Sequence, residues 1–346
     1  SDPAAWWRRL TRRPVTAAIG GLCLLGYFAT MVAVLRTAED VAGTAITSLW
    51  SLGGSEDLLV RLGALELTHV WRGGEWWRVA TTGLLHGSLL HLVLNLWALG
   101  SIGDWSELAW GRWKHAAVFA ISSIAGCLAS LLWCEARIVV GASAGVLGLA
   151  GALWVARRFG PATMQTQLEP VSSFALGLLI LLCLVKGAVI PGIAQAGHVG
   201  GLVAGAILGA TLVQPRWPLR AVGLGTLATL LGFTGFLARA PIWREQYHTF
   251  MGFALASDGD VPAAVERFEQ ALTMTDSRAD LLNSVAYQFA LDGVALDRAE
   301  RYTLEALSLE PANANFLDTL GWVWCRRGDA DAAMPLLRAA AFLSRG

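Results

Sequence analysis

The chain has 346 residues, of which 55% are hydrophobic and only 15% are charged, and its formal net charge is +0. This composition is too apolar for a soluble domain of that length and predicts several transmembrane helices. The balanced charge offers no basic surface for nucleic acid, so we expect no nucleic-acid partner. The five cysteines show no C-x-x-C spacing, and we expect them to act as small apolar residues without a disulfide or metal role.

Seven apolar runs have the roughly 17–25 residues that a membrane span needs. They predict an all-α, polytopic membrane helix bundle of six core spans, with a seventh span after the core. The seventh run is the shortest and is bracketed by Arg220 and Arg239. The predicted spans cover residues 15–35, 84–103, 114–133, 141–159, 171–190, 195–213 and 219–238.

Arginine and lysine residues are concentrated in alternate loops, which predicts the orientation of the chain. Arginines within residues 8–13 directly precede the first span, so we expect a cytoplasmic N-terminus. The loop after that span begins with the acidic residues Glu39 and Asp40. We therefore predict a multi-pass protein in the lipid bilayer of a bacterial inner membrane, with spans two, four and six entering from the outer side.

A serine and a histidine lie at the start of two predicted spans. Ser143 is in the sequence Gly-Ala-Ser-Ala-Gly, and His198 is in Ala-Gly-His-Val-Gly-Gly. Such side chains are costly to bury in hydrocarbon, so each marks a candidate functional site. A serine hydroxyl becomes nucleophilic when a base accepts its proton, which a neutral histidine can do. Neither span contains Asp or Glu, so the pair would act as a dyad.

Small residues recur on both of these spans and predict that the two helices pack closely. Close packing would allow the serine and the histidine to meet. The same pattern also occurs in helices that merely pack, so it does not indicate catalysis on its own. The glycines are Gly197, Gly201, Gly205 and Gly209 on the sixth span and Gly141, Gly145 and Gly148 on the fourth.

A third polar group lies at the start of the second span. His91 and Asn95 are four residues apart, so their side chains share one face of a helix. Together with the backbone N–H of Ser143, they could hold the negative oxygen of a tetrahedral intermediate. The alternative is a structural polar cluster that holds helices together. His86 precedes His91 by five residues, and we expect it to face elsewhere, in a structural or interfacial position.

These motifs resemble those of the rhomboid family of intramembrane serine proteases, over about residues 15–213. The resemblance implies a serine nucleophile, a histidine base and an oxyanion site that includes the His/Asn pair. It also implies that transmembrane protein substrates are cleaved near the outer face of the membrane, and it implies no cofactor or metal ion. The residues that carry it are Trp77-Arg78, His86, His91, Asn95, Gly141-x-Ser143 and Ala196-x-His198-x-x-Gly201-x-x-x-Gly205.

Several of the matched residues are implied to be structural. Glu107 and Gly111 fit a helix-terminus feature of the family. Two positions depart from the pattern: residue 144 is alanine where many members have glycine, and residue 147 is leucine where many have an aromatic residue. Leucine packs against a histidine without ring stacking, so we expect His198 to be held less firmly. The other structural residues are Trp77, Arg78, His86, Gly141, Gly201 and Gly205.

Other classes of membrane protein fit the sequence less well. A metalloprotease would need H-E-x-x-H, an aspartyl protease would need paired aspartates within spans, and a transporter usually has intramembrane charges or broken repeat helices. The alternative that stays open is a catalytically weak or inactive rhomboid-like protein that binds transmembrane clients. The presence of both Ser143 and His198 favours the enzyme.

The C-terminal part of the chain is richer in charged residues and repeats about every 34 residues. Its small residues resemble those of tetratricopeptide repeats, which are helix pairs that stack on one another. We expect about three repeats, with aromatic residues such as Tyr287, Phe289, Tyr302 and Trp322 in the core. The functional alternative is a groove for a peptide or a partner protein. The small residues are Gly252, Ala286, Gly321, Ala264, Ala299, Ala333, Ala271, Ala306 and Ala340.

The predicted organisation combines these segments. If the seventh span is real, the soluble repeat domain lies outside the cytoplasm, on the same side as the candidate site. The predicted segments are a cytoplasmic N-terminus (1–14), a six-span catalytic core (15–213), a seventh span (214–240) and the repeats (241–346).

Overall fold

The computed structural model describes residues 13–37, 56–189 and 194–344. Contacts divide the chain into two compact units, residues 1–241 and 242–346. Most of the predicted segment 1–14 lies outside the described residues, and so do the acidic residues Glu39 and Asp40.

The described residues of the first unit form helices and one pair of two-residue strands, β1 (Leu65–Glu66) and β2 (Ile138–Val139). Most of the predicted spans begin and end within a few residues of the ends of a helix in the structure. The helices are α1 (Pro14–Thr37), α2 (Glu56–Arg61), α3 (Leu67–Gly73), α4 (Arg78–Thr81), α5 (Leu89–Trp133), α6 (Ser143–Phe159), α7 (Ala162–Gln167), α8 (Ser173–Val189), α9 (Gln195–Val213) and α10 (Trp217–Leu237).

Helix α5 covers both of the predicted spans 84–103 and 114–133, and the helical conformation breaks between them. It runs for 45 residues and is interrupted at Gly111, where φ is 75° and ψ is 167°. L-residues rarely adopt that conformation, so a glycine is required at the break. The helix also begins later than predicted, at Leu89. The side chain of Ser88 caps it by accepting a hydrogen bond from the His91 N–H at 3.1 Å.

Among the described residues, four helices are long and apolar enough to cross a membrane, namely α1, α5, α9 and α10. Helix α8 contributes a shorter apolar stretch, Ser173–Val185. Helix α6 has 17 residues. The prediction of a helical membrane bundle is therefore confirmed, whereas the number of spans stays a prediction.

A buried carboxylate joins the start of α1 to the middle of α5. Glu107 accepts hydrogen bonds from the backbone N–H groups of Val15 (3.2 Å) and Thr16 (3.0 Å) and from the Thr16 hydroxyl (2.8 Å). First-turn N–H groups have no partner within their helix and lie at the positive end of its dipole, so an anion stabilises them. The Nδ1 atom of His115 lies 3.1 Å from Ser106 Oγ and extends this cluster. The cluster holds α1 beside the break in α5.

The described part of the segment between α1 and α5, residues 56–88, is the first loop, and it is organised by Arg78, whose side chain is buried. Its guanidinium donates hydrogen bonds to the carbonyl groups of Val60 and Ala64 and to the Glu75 carboxylate. Hydrogen bonds from His69 and Arg78 hold the pKa of Glu75 below its usual value. The ion pair therefore persists at neutral pH and fixes the shape of this loop.

The strand pair connects this loop to the segment that precedes α6. Strands β1 and β2 pair antiparallel, with Leu65 opposite Val139. The Thr82 hydroxyl accepts a hydrogen bond from the Leu65 N–H at 3.1 Å and donates one to the Val139 carbonyl. The Thr82 carbonyl in turn accepts from the Gly141 N–H at 3.1 Å. The first loop thus holds the backbone that leads into α6.

Helices α6 and α9 pack with their backbones in direct contact. A methyl group added to Gly205 would overlap the backbone of Gly148, and one added to Gly201 would overlap the backbone of Ala144. Helix α5 approaches α9 in the same way, because a methyl group on Gly126 would lie 2.6 Å from the carbonyl oxygen of Gly197. Only glycine permits such close approach, which in membranes gains van der Waals contact between helices.

The described residues of the second unit form six helices, which pack as three successive pairs. The small residues of the predicted repeat are all buried at the helix contacts. A methyl group on Gly252, for example, would lie 2.5 Å from the Phe268 ring. The pairs are α11 (Glu245–Ser257) with α12 (Val261–Leu272), α13 (Arg278–Asp292) with α14 (Leu296–Leu309), and α15 (Ala314–Arg327) with α16 (Ala330–Leu343).

The prediction that the aromatic residues of this unit are core residues is only partly right. Phe289 and Tyr302 are buried, but Tyr287 and Trp322 are exposed. Tyr287 follows the buried Ala286 directly, and adjacent residues of a helix point in different directions. Tyr287 and Trp322 therefore both lie on the surface of the unit.

The glycine contacts predict a large difference between two Gly→Ala substitutions. Gly205→Ala should lower the free energy of unfolding by about 1–3 kcal/mol, because the new methyl group forces α6 and α9 apart. Gly100→Ala is the matched control, since a methyl group there meets no atom within 4 Å. It should leave stability unchanged or raise it slightly. Denaturation in detergent micelles measures both, and equal stability of the two variants would contradict the packing described.

Candidate active site

Ser143 and His198 are neighbours in space although they come from different helices. Ser143 is the first residue of α6, and His198 lies in the first turn of α9. The Ser143 Oγ is 2.9 Å from the His198 Nε2, which is hydrogen-bond distance. The glycine contacts between α6 and α9 allow this separation, because they let the two first turns approach each other.

Both side chains line a cavity of about 490 Å³ within the first unit. The cavity is bounded largely by apolar residues such as Val140, Leu147 and Leu179. A mostly apolar space with a few convergent polar groups is the usual form of a binding site. The remaining polar side chains that line it include His91, Asn95 and Ser123.

His91 and Asn95 project from the first two turns of α5 into this cavity. The His91 ring lies against Gly141, where a Cβ atom would be 2.7 Å from Cε1 of the imidazole. Gly141 also has a φ of 118°, so both the ring and the backbone conformation require glycine. The Asn95 Nδ2 donates a hydrogen bond to the His91 carbonyl at 2.9 Å. An amide group has two N–H bonds, so the second remains available to a bound oxygen atom.

The position of His86 corrects the expectation that this residue faces away from His91. The two imidazole rings are in edge-to-face contact, with centroids 5.1 Å apart, and His86 is fully buried. The expectation assumed that both residues belong to one helix. Helix α5 begins only at Leu89, so helical spacing does not apply to residue 86. His86 packs behind His91 and supports it.

Trp77 and Arg78 both lie in the first loop. The Arg78 guanidinium carbon lies 4.7 Å from the centroid of the exposed Trp77 ring. The hydrogen bonds of Arg78 to the loop backbone give this residue the structural position that the motif implies. Neither residue is among those that line the cavity in the described part of the chain.

The two departures from the family motif both lie at the site. Leu147 is buried and lines the same cavity as His198, so it supplies apolar packing there. The Ala144 backbone lies against Gly201 of α9, and its Cβ would be 2.5 Å from a methyl group on Gly126. The methyl group of Ala144 thus fills the junction of three helices.

Sequence reasoning missed Thr82, which lines the cavity and bridges the strands that lead to α6. A single threonine in a loop belongs to no periodic pattern. Its two hydrogen-bond partners come from distant parts of the chain, so its role becomes visible only in the folded structure.

Comparison with protein families locates a known domain in the first unit. Residues 73–215 match the model of the Rhomboid domain family. The match includes the serine, the histidines and Asn95 described above, and it ends before α10 and the second unit. Helix α1 also lies outside the matched residues.

Individual relatives carry the same family name. The chain is 32% identical over 166 residues to "RHOMBOID-like protein 6, mitochondrial" of Arabidopsis thaliana, which covers 48% of this chain and 53% of the relative. It is 29% identical over 246 residues to "Rhomboid protease GluP" of Bacillus subtilis, covering 68% of this chain and 46% of the relative. For "Rhomboid protease AarA" of Providencia stuartii the identity is 29% over 198 residues, covering 50% of this chain and 68% of the relative.

The chain spans about half the length of the first two of these relatives. The relatives with these similarities come from a plant and from two bacteria. With the apolar helices of the first unit, these matches indicate an integral, multi-pass membrane protein. Residues 73–215 are thus similar to the Rhomboid domain family, and relatives with significant similarity to the chain carry the same family name.

Proposed function

We propose that this chain is an intramembrane serine endopeptidase that hydrolyses peptide bonds of transmembrane protein substrates. The observation that carries the proposal is the 2.9 Å separation of Ser143 Oγ and His198 Nε2 at a cavity among membrane helices. Two relatives that share this domain are named as rhomboid proteases. A nucleophile and a base in contact, next to space for a substrate, are what the first step of acyl transfer requires, namely attack on the carbonyl carbon.

The first step is the attack of Ser143 on the scissile carbonyl carbon. The Oγ–H donates its proton to Nε2 of a neutral His198 as the new C–O bond forms. The same imidazolium then gives the proton to the leaving amine, and water hydrolyses the resulting ester.

The negative oxygen of the tetrahedral intermediate needs donors that are already in place. Ser143 begins α6, so its backbone N–H lies in the first turn, where N–H groups have no partner within the helix. The second N–H of the Asn95 amide and the His91 ring are the side-chain donors that we assign to this oxyanion site. Donors fixed by packing require no reorganisation during the reaction.

The substrate must expose a peptide bond before it can react. A helical peptide bond is hydrogen-bonded and shielded, and unpaired backbone groups are costly in lipid. The polar side chains in the cavity offer partners for a locally unwound segment, and they also give water a place near Ser143. We therefore expect substrates with small, helix-weakening residues close to the outer face of the membrane.

The basic residues before α1 favour a cytoplasmic N-terminus, and with it a site near the outer face of a bacterial inner membrane. A mitochondrial membrane is the second candidate location, because the name of the Arabidopsis relative contains the word mitochondrial.

The second candidate function is a catalytically weak or inactive rhomboid-like protein that binds transmembrane clients. Leu147 in place of an aromatic residue beside His198 is the observation that favours it.

A serine-directed fluorophosphonate probe tests the proposed dyad. The wild-type protein should become labelled, whereas Ser143→Ala and His198→Ala should each lose nearly all labelling, because the nucleophile or its base is missing. Ser123→Ala is the matched control, since this serine lines the same cavity but donates its hydrogen bond to the Phe119 carbonyl. Absence of labelling in a folded wild type would favour the client-binding alternative.

Asn95 provides a separate test of the oxyanion site. Asn95→Ala should lower kcat by about 10²–10³-fold, which is the typical effect of removing one oxyanion donor. Its thermal unfolding temperature should change much less, because the hydrogen bond that it loses lies within one helix. Turnover of a small peptide substrate and unfolding in detergent give the two values. Unchanged turnover would remove Asn95 from the proposed mechanism.

We propose that the second unit is a tetratricopeptide-like repeat domain that binds a peptide or a partner protein. The three helix pairs and their buried small residues support this assignment. The exposed rings of Tyr287 and Trp322 are candidate contacts for such a partner. If α10 crosses the membrane, this unit lies on the side of the catalytic site and can present substrates to it.

Deletion of residues 243–346 tests this role. Hydrolysis of a small unstructured peptide should remain at the wild-type rate, because every proposed site residue lies in the first unit. Release of fragments from intact membrane proteins should be lower than in the wild type. Comparative proteomics measures it, and the Ser143→Ala variant gives the level of fragments that arises without catalysis. Equal loss of both activities would indicate a structural tail.

A further inference from the structure

We infer that Glu135 is a positioning residue for His198, because its carboxylate caps the helix that carries this histidine. The Glu135 Oε2 accepts a hydrogen bond from the Ala196 N–H at 2.8 Å. Ala196 lies in the first turn of α9, two residues before His198. The inference rests on the proposed function, in which His198 is the base.

Helix α9 does not supply a capping side chain of its own. Its N-cap residue is Ala194, which makes no side-chain hydrogen bond to the helix. Alanine is among the poorest N-cap residues, because it has no atom that can accept a hydrogen bond from a first-turn N–H. The cap must therefore come from elsewhere in the chain, and a carboxylate also interacts favourably with the positive end of the helix dipole.

Glu135 lies in the segment between α5 and α6, and this segment also leads to Ser143. It directly follows Cys134, which ends α5, and it precedes β2, Gly141 and Ser143. β2 is in turn held by β1 and by the Thr82 hydroxyl. The short connection between α5 and α6 therefore carries the nucleophile at one end and bonds to the histidine helix at the other.

Helix α9 has a second connection at the same end. The Gln195 side chain donates a hydrogen bond to the Leu184 carbonyl of α8 at 2.8 Å. Loss of the Glu135 cap should therefore loosen the first turn of α9 without unfolding the helix. Because His198 lies in that turn, the 2.9 Å contact with Ser143 would be populated for a smaller fraction of the time.

Glu135 should affect the rate of reaction and leave substrate binding unchanged. Among the described residues that line the cavity at Ser143, Glu135 does not occur, and it lines a different cavity beside α10. A residue that aligns the base without touching the substrate lowers kcat and leaves KM unchanged. A lower kcat with an unchanged KM would therefore distinguish a positioning role from a role in substrate binding.

The test compares three variants of the full chain with a small peptide substrate. Glu135→Ala should lower kcat by up to about fivefold, because loss of a typical N-cap shifts the equilibrium of the first turn by that factor. KM should not change. Glu135→Gln should keep most of the activity, because the amide oxygen can still accept the hydrogen bond. Glu169→Ala is the control for loss of an exposed carboxylate elsewhere, and it should match the wild type.

A double substitution distinguishes capping from other effects of Glu135. Ala194→Asp adds an acceptor within α9 itself, so in the Glu135→Ala background it should restore kcat towards the wild-type value. Hydrogen exchange of the amides of residues 195–198 should be faster in Glu135→Ala and return towards the wild-type rate in the double variant.

Three results would overturn the inference: wild-type kcat in Glu135→Ala, a change in KM alone, or no recovery in the double variant. Failure of the proposed function looks different. In that case the wild type itself neither hydrolyses the peptide nor takes up fluorophosphonate, and the positioning role fails with it.

Discussion

The close approach of α6 and α9 is the constraint on which the candidate site depends. Ser143 and His198 lie in the first turns of these two helices, so their 2.9 Å separation follows from how the helices pack. Packing at that distance requires glycine where the backbones touch, as at Gly205 against Gly148. Without a hydrophobic driving force between helices in lipid, such van der Waals contact is a main source of association energy. The same contacts therefore stabilise the bundle and align the two side chains.

The second constraint is the connection between α5 and α6, which lies between the first loop and α9. Strand pairing and the Thr82 hydrogen bonds attach it to the loop that Arg78 organises. Gly141 then lets the backbone pass close to the His91 ring. Residues with structural roles in the first loop thereby determine where α6 begins, and hence where the Ser143 N–H and Oγ point. Contacts distant in sequence thus bear on the geometry of the proposed Ser143–His198 pair.

Much of this arrangement could be predicted from the sequence, because lipid makes strong demands on composition. Long apolar runs predicted the helices, and the costly polar residues within them identified Ser143, His198, His91 and Asn95. The errors came where local rules end. Helical spacing failed for His86, which precedes the true start of α5. The roles of Thr82 and Glu135 rest on partners far away in the chain, which no periodic pattern reveals.

The central claim is that Ser143 is a nucleophile whose intermediate is stabilised by donors from α5 and α6. The most direct measurement is an experimental structure of the protein after reaction with a fluorophosphonate. The account predicts a covalent bond between phosphorus and the Ser143 Oγ, with the phosphonyl oxygen within hydrogen-bond distance of the Ser143 N–H and the Asn95 amide. A bond to another residue, or a phosphonyl oxygen directed away from these donors, would contradict it.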